Sequence, residues 1–198
     1  MRKIFVLAPG LFSLVLLASA CVGTPPPQPP DEKVVPDVYM TAYTWFDNTP
    51  AGSPDISHPV LHRAAGGTGT YSDPVTIAVG HSLETGKDVL DVPAGTRIYV
   101  PNVRRYFIVE DTCGDGPTPE DGPCHSGAED HSGASIWIDL WIGGEGGSKA
   151  SARRCARKVT GVRTAVFNPR SDYAVVSGGG VIHGGKCDTG YGDELVTG

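Results

Sequence analysis

The chain is short of methionine, of aromatic side chains and of basic residues, and each shortage argues against a class of function. Its 198 residues include only 2 Met and 8% aromatics, which argues against a large, adaptable apolar binding surface. Lys and Arg number 16 against 22 Asp and Glu, for a net charge of −6. Because nucleic-acid binding generally needs a clustered basic surface, we expect no nucleic-acid partner.

Glycine and proline are plentiful instead, with 27 Gly and 17 Pro in the chain. Most of them lie between the apolar segments, which favours a turn-rich β protein over a helical bundle. The length predicts one domain of ordinary size. No repeat, heptad pattern or other feature of the sequence indicates an obligate dimer, so we expect a monomer.

The N-terminal segment has the pattern of an export signal. Arg2 and Lys3 precede a mostly apolar run over residues 4–17, and the small residues of 18–20 (ASA) follow it. This pattern predicts a signal peptide over residues 1–20, and the run is too short and too broken for a membrane span. Cleavage there leaves 14 basic and 22 acidic residues, a charge of −8.

The residues after the predicted cleavage site suggest a membrane anchor. The segment LASAC at 17–21 resembles a bacterial lipobox, which implies that Cys21 is lipidated and tethers the protein to a membrane. Ordinary secretion is the alternative, because A-x-A also suits signal peptidase. Residues 22–36 hold six prolines, so we interpret 21–36 as the lipidation site with an extended linker, and 37–198 as the folded domain.

Four further cysteines predict two disulfides in an oxidising compartment. Sequence alone allows three pairings. We favour Cys113–Cys124, which closes a short Gly/Pro/Asp loop, and this leaves Cys155–Cys187. Oxidised cysteines do not bind zinc. His58 and His62 are spaced i, i+4, but Pro59 intervenes and no helix pattern surrounds them, so we expect neither a metal nor a cofactor.

Short strand patterns at regular spacing predict a small closed barrel. The predicted strands span 38–45, 74–80, 97–100, 105–110, 135–142, 162–167 and 173–176, with long loops over 46–73 and 111–134. One helix is expected over 149–159, with Ser148 as its N-cap and Gly161 ending it. The glycines of 66–73 are expected to allow close backbone approach rather than to bind phosphate.

Five short motifs occur in an order typical of one superfamily: TAY at 41–43, DPVTIAV at 73–79, VPAGTRIYVP at 92–101, VEDTCG at 109–114 and IDLW at 138–141. Residues 38–145 thereby resemble the double-psi β-barrel superfamily. The resemblance is closest to the 3D (Asp-Asp-Asp) domain. It is more distant to rare lipoprotein A, membrane-bound lytic transglycosylase A, expansins and family-45 endoglucanases. It implies a mainly β fold, a six-stranded double-psi β-barrel with long loops, one short helix and two disulfides.

The chain departs from these relatives at two positions. Asp111 and Asp139 match two of the three aspartates of the 3D domain, but Gly80 stands where the third would follow Ala78 and Val79. The similar barrels carry their catalytic acid in a His-x-Asp-like strand, and here Trp137 replaces that histidine.

Asp139 is the candidate proton donor. It lies within the apolar strand IWIDLWI at 136–142, where alternation places it on one face with Trp137 and Trp141. A carboxyl packed near aromatics tends to have a raised pKa, which suits a general acid, and indole faces suit sugar rings. The alternative is a structural carboxylate bonded to backbone amides.

Other residues could complete the site. Asp111 ends a strand and could act as the second carboxylate, as a base or by orienting Asp139, or could simply cap a turn. The resemblance implies that Thr41 and Tyr43 line the groove, although β-propensity alone explains both. Asp47 is the candidate distant base of an inverting glycosidase. Glu110 is expected to point to solvent.

Three functions remain open at this point. The first is cleavage of a cell-envelope polysaccharide, most plausibly peptidoglycan, by a lytic transglycosylase or inverting hydrolase with Asp139 as acid. The second is a non-catalytic, expansin-like module that binds glycan or loosens walls. The third is a disulfide-stapled scaffold without a glycan role.

Overall fold

The structure is a computed structural model that describes residues 31–114, 116–176 and 178–198. The predicted signal peptide, Cys21 and most of the proline-rich linker lie outside the described residues. Within those three ranges, the helices are too short or too polar to cross a membrane.

Short strands make up most of the regular structure. They are β1 (Lys33–Tyr43), β2 (Val75–Val79), β3 (His81–Ser82), β4 (Val89–Leu90), β5 (Arg97–Val100), β6 (Arg105–Thr112), β7 (Ile136–Trp141), β8 (Gly161–Phe167), β9 (Ile182–His183) and β10 (Lys186–Cys187). The helices are α1 (Pro123–Ser126) and α2 (Lys149–Val159), with 3₁₀ turns at Pro101–Val103, Pro119–Asp121 and Ala128–Asp130.

Six of these strands close into a barrel in the order β1-β7-β2-β6-β5-β8. Two neighbouring pairs are parallel, β1 with β7 and β2 with β6, and the other pairs are antiparallel. The predicted closed, mainly β barrel is therefore confirmed. The C-terminal segment completes it, because β8 joins β1 to β5.

The barrel interior is filled by fully buried apolar side chains, which the strand alternation places on one face of each strand. Ile138 and Leu140 of β7 and Met40 of β1 are all 0% exposed. The alternate positions of the same strands, which include Thr41 and Asp139, face away from this core.

Several predicted elements are confirmed closely. Helix α2 spans 149–159, and the Ser148 side chain accepts a hydrogen bond from the Ser151 N–H, as an N-cap does. Both favoured disulfides, Cys113–Cys124 and Cys155–Cys187, are present. Gly67 shows the close approach expected of its loop, since a Cβ there would lie 2.1 Å from the Pro74 carbonyl oxygen.

Other predicted boundaries are wrong. Strand β1 begins at Lys33, inside the segment assigned to the linker. Pro36 does not interrupt it, because the register of its pairing with β8 shifts between Val35 and Val38 and leaves the proline out of the ladder. Residues 173–176 form no strand, and only an isolated bridge joins Tyr173 to Thr197. The ladders β3–β4 and β9–β10 were not predicted.

Glu110 is not solvated but fully buried, and it fixes the long loop to the barrel. Strand β2 pairs Ile77 with Val109 and Ala78 with Asp111, so Glu110 is the extra residue of a bulge. Its carboxylate accepts hydrogen bonds from the backbone N–H groups of residues 60, 61 and 62.

Candidate functional site

Four barrel strands bring the candidate residues into one row. The register places Thr41 of β1 beside Asp139 of β7, Asp139 beside Ala78 of β2, and Ala78 beside Asp111 of β6. The two aspartates are thus separated by two strand spacings, roughly 9–10 Å between their Cα atoms. Because the Ala78 side chain between the two aspartates is small, it leaves open space beside them.

That space is a cleft of about 360 Å³, which we call the Asp139 cleft. Barrel residues form its floor, and the loop over 47–57 forms one wall. Among its lining residues are Tyr43, Asp47, Ala78, Asp111 and Asp139. The structure therefore brings together four of the predicted site residues.

Asp139 is held by a short hydrogen-bond chain. The Trp137 Nε1–H donates to Thr41 Oγ1 at 2.8 Å, and the Thr41 hydroxyl donates to Asp139 Oδ1 at 2.6 Å. Because the indole can only donate, it orients the threonine proton toward the carboxyl. Among the described residues the Asp139 side chain has no other hydrogen-bond partner, so Oδ2 is left for the cleft.

The surroundings of Asp139 favour its protonated form. Burial raises its pKa to about 7 against the ordinary 3.8, the Thr41 hydrogen bond opposes this rise, and the charges of Asp47 and Asp111 add to it. The side chain keeps some exposed surface, while packed protein surrounds the carboxyl closely enough to desolvate its charge. Such a group can donate a proton near neutral pH.

Asp111 lines the cleft and accepts four hydrogen bonds. It accepts hydrogen bonds from the Tyr43 hydroxyl at 2.9 Å, from the Ser57 N–H and hydroxyl at 3.0 Å each, and from the Thr112 N–H at 3.0 Å. These hydrogen bonds connect β1 and the loop over 46–73 to β6. The charge of this carboxylate contributes to the raised pKa of Asp139.

Asp47 stands on the exposed wall of the cleft. Its Oδ1 accepts a hydrogen bond from the Thr44 N–H at 2.7 Å, as in an Asx turn. Of the two neighbouring acids, its charge has the larger effect on the pKa of Asp139.

The aromatic candidates have structural partners of their own. Trp141 is only 6% exposed and packs its ring edge-to-face against Tyr43, with centroids 5.1 Å apart. Tyr43 is itself buried, and burial together with the Asp111 carboxylate raises its pKa well above 10. Half-buried Trp137 contacts Tyr39 and His131 edge-on. Neither indole, nor Thr41, lines the Asp139 cleft.

The surroundings of Gly80 leave no space for a side chain, so the third aspartate expected from the 3D-domain resemblance could not be accommodated here. A Cβ at this position would lie 2.2 Å from Asp91 Oδ2 and 2.6 Å from the Cys124 carbonyl oxygen. Asp91 is held there by a 2.6 Å hydrogen bond from His125 Nδ1. The disulfide-closed insert thus occupies the volume that a third acid would fill.

Sequence reasoning missed several lining residues, among them Asp55, Ser57 and Ala78. Ser57 and Asp55 lie in the irregular loop, whose composition carries no signal for a site. Ala78 was visible within a recognised motif, and its small size at a position between two acids could have indicated the floor of a cleft.

Comparison with known proteins finds a family model and a relative that match most of the chain. A family model described as the DDB_G0273701 N-terminal domain matches residues 35–187. An uncharacterized protein of Dictyostelium discoideum, DDB_G0273701/DDB_G0273221, is 32% identical over 137 residues, 69% of this chain and 52% of that protein. The chain therefore spans about half the length of this relative. No solved structure matches the chain.

Proposed function

The chain belongs to the family of the DDB_G0273701 N-terminal domain, and we propose that it acts on polysaccharide, by acid-catalysed cleavage of a glycosidic bond with Asp139 as proton donor. The observation that carries the proposal is a carboxyl with a pKa of about 7 lining an open cleft. Glycosidic cleavage needs such a group, because the leaving oxygen must be protonated as the bond breaks.

The hydrogen-bond partners of Asp111 and Asp47 favour a mechanism in which Asp139 acts first as the acid and then as the base. Asp111 accepts four hydrogen bonds, and Asp47 accepts one from the Thr44 N–H. After giving up its proton, Asp139 is the base nearest the reacting centre. This suits a lytic transglycosylase route, in which a substrate hydroxyl replaces water, better than an inverting hydrolase with a separate base.

The cellular setting belongs to the same proposal. The resemblance to rare lipoprotein A and lytic transglycosylases points to peptidoglycan as the substrate. Two disulfides support an oxidising, extracytoplasmic location. The predicted signal peptide and lipidation at Cys21 would hold the domain beside the cell wall.

A second function is favoured by the same contacts of Asp111 and Asp47. If both carboxylates only shape the cleft, the domain binds glycan without breaking it, as an expansin-like module does. Asp139 then serves to hold Thr41 and Trp137.

Digestion of purified peptidoglycan and of cellulose, followed by mass spectrometry, tests the proposal. The wild-type protein is compared with Asp139→Asn and with Asp121→Asn, which changes an exposed aspartate outside the cleft. Products that require Asp139 support cleavage, and anhydro ends rather than reducing ends identify the transglycosylase route. Glycan binding by all three proteins without any product would refute cleavage and leave the binding module.

A further inference from the structure

A second and larger cleft lies between α2 and the β9–β10 hairpin. It encloses about 450 Å³ and is lined by glycines of 144–147, by one face of α2 and by the hairpin residues 182–187. The Cys155–Cys187 disulfide ties its two walls together. We call it the basic cleft, for the charges that follow.

Cations dominate this cleft. Arg154 and Lys158 of α2 and Lys186 of the hairpin line it, opposed by the single carboxylate of Glu145. All three cations are exposed, and none forms an ion pair with any described residue. In a chain with a net charge of −6, this concentration of unpaired positive charge calls for an anionic ligand.

The positive surface continues beyond the cleft. A shallower depression of about 420 Å³ on the neighbouring face of α2 is lined by Lys149, Arg153, Arg154 and Arg157. Arg154 belongs to both depressions. Five cations and no acid occur along this 11-residue helix, so the charges form a strip suited to a ligand with several spaced anionic groups.

The basic cleft and the Asp139 cleft are neighbours. Strands β1 and β7 run parallel and end together, where the Ile142 N–H donates to the Tyr43 carbonyl. The segment over 44–48 follows and separates the two clefts. Its Phe46 ring lies against Gly144 of the basic cleft, while its next residue, Asp47, lines the Asp139 cleft.

We infer that the basic cleft binds anionic substituents, carboxylate or phosphate, of the same polysaccharide chain whose backbone occupies the Asp139 cleft. This rests on the proposed function and narrows its substrate to an acidic glycan. Arg154 supplies a planar donor fork that suits either anion. The recessed shape favours a chain with side groups over a flat membrane surface, which would need protruding cations.

The test is binding to three polymers with one backbone: neutral hydroxyethyl cellulose, carboxymethyl cellulose and cellulose phosphate. The full chain should bind the charged polymers at least about tenfold more tightly at low salt, and added NaCl should remove the difference. Tighter binding of carboxymethyl cellulose would identify carboxylate as the preferred anion, and tighter binding of cellulose phosphate would identify phosphate. Anionic phospholipid vesicles and duplex DNA are measured alongside.

Charge variants locate the site. The triple variant Arg154→Glu, Lys158→Glu, Lys186→Glu should lose the preference for charged polymers and keep neutral binding. The triple variant Arg154→Gln, Lys158→Gln, Lys186→Gln should lose most of this preference. It should disturb the folding of α2 less than the Glu variant does, and thermal melting checks this. Lys87→Glu, an exposed cation in the β3–β4 turn, should change neither.

Three results would overturn the inference: no preference for charged polymer in the wild type, an unchanged preference in both triple variants, or tighter binding of vesicles or DNA through the same cations. Failure of the proposed function is seen separately. A charged-polymer preference without cleavage refutes only catalysis, whereas cleavage that is indifferent to both triple variants refutes only the basic cleft.

Discussion

At the scale of single residues, the site depends on how tightly Asp139 holds its proton. Because its pKa is raised to about 7, the acid form persists to neutral pH and is lost above it. We predict that kcat/KM on glycan falls about tenfold per pH unit above pH 7. Asp139→Asn should reduce it by about 10²–10⁴-fold at and below pH 7, the usual contribution of a general acid, and by less at higher pH, where the wild-type carboxyl has also lost its proton. A profile that stays flat to pH 9 would contradict this role.

The same carboxyl should make folding stability depend on pH. Its folded-state pKa lies above the ordinary 3.8, so its stabilising effect is complete below about pH 4 and is lost as pH rises to 7. Relative to wild type, Asp139→Asn should gain unfolding free energy over this interval, by up to roughly 4 kcal/mol. Urea unfolding at pH 4 and pH 8 measures the change. An equal difference between the two proteins at both pH values would show that the carboxyl is not desolvated.

Asp47 tests the electrostatic coupling between the two acids. Its negative charge raises the pKa of Asp139, so Asp47→Asn should lower that pKa and move the alkaline limb of activity to lower pH. The matched control is Asp55→Asn, which removes another exposed carboxylate from the same cleft wall. Carboxyl titration by NMR reads the shift directly. A larger shift from the control than from Asp47→Asn would contradict the assignment.

At the scale of elements, the β6 bulge carries two adjacent acids with different tasks. Asp111 faces the cleft, whereas Glu110 anchors the loop over 60–62. Both ring nitrogens of His62 face carboxylates, Nδ1 at 2.7 Å from Glu110 and Nε2 at 3.0 Å from Asp73. Although burial alone would lower the pKa of His62, these hydrogen bonds raise it. His62 thus closes the loop onto the barrel through its contacts with both carboxylates.

Removing the charge of Glu110 should loosen this loop. In Glu110→Gln the new amide N–H group points toward the His62 donor, so we predict a loss of about 1–3 kcal/mol in unfolding free energy. Cleavage by protease within 46–73 should become faster. Glu84→Gln, in the exposed β3–β4 turn, is the control and should be neutral. Equal stability of both variants would show that the loop does not depend on Glu110.

Strands were predictable where alternation and β-branched residues coincide, as in β5 and β7, and α2 was predictable from its cap and periodicity. Alternation assigns a face but does not show what covers it. Glu110 was therefore expected in solvent, and Trp141 was expected in the groove although it packs on Tyr43. The Asp139 carboxyl was found from its apolar strand alone, whereas Ser57 reaches Asp111 only through tertiary folding. The cations of 149–158 were visible in the sequence, but the sequence did not show that α2 and the β9–β10 hairpin form a cleft between them.

At the scale of the whole molecule, each disulfide supports a different cleft. Cys113 lines the Asp139 cleft, and its bond to Cys124 holds the insert whose Cys124 carbonyl lies against Gly80. Cys155 and Cys187 both line the basic cleft, and their bond spans 32 residues of sequence. Binding of glycan side groups and cleavage of the backbone should therefore be separable by choosing which disulfide is removed.

The double variant Cys155→Ser, Cys187→Ser should lose about 3–4 kcal/mol of unfolding free energy, as expected for a loop of this length. Because one wall of the basic cleft is then free to move, the preference for carboxymethyl cellulose should fall, while cleavage of short neutral glycan continues. Cys113→Ser, Cys124→Ser should show the opposite pattern. Denaturation, polymer binding and product analysis of both variants measure these effects. If each variant lost both activities to the same degree, the two clefts would not be separable in this way and would act as one cooperative site.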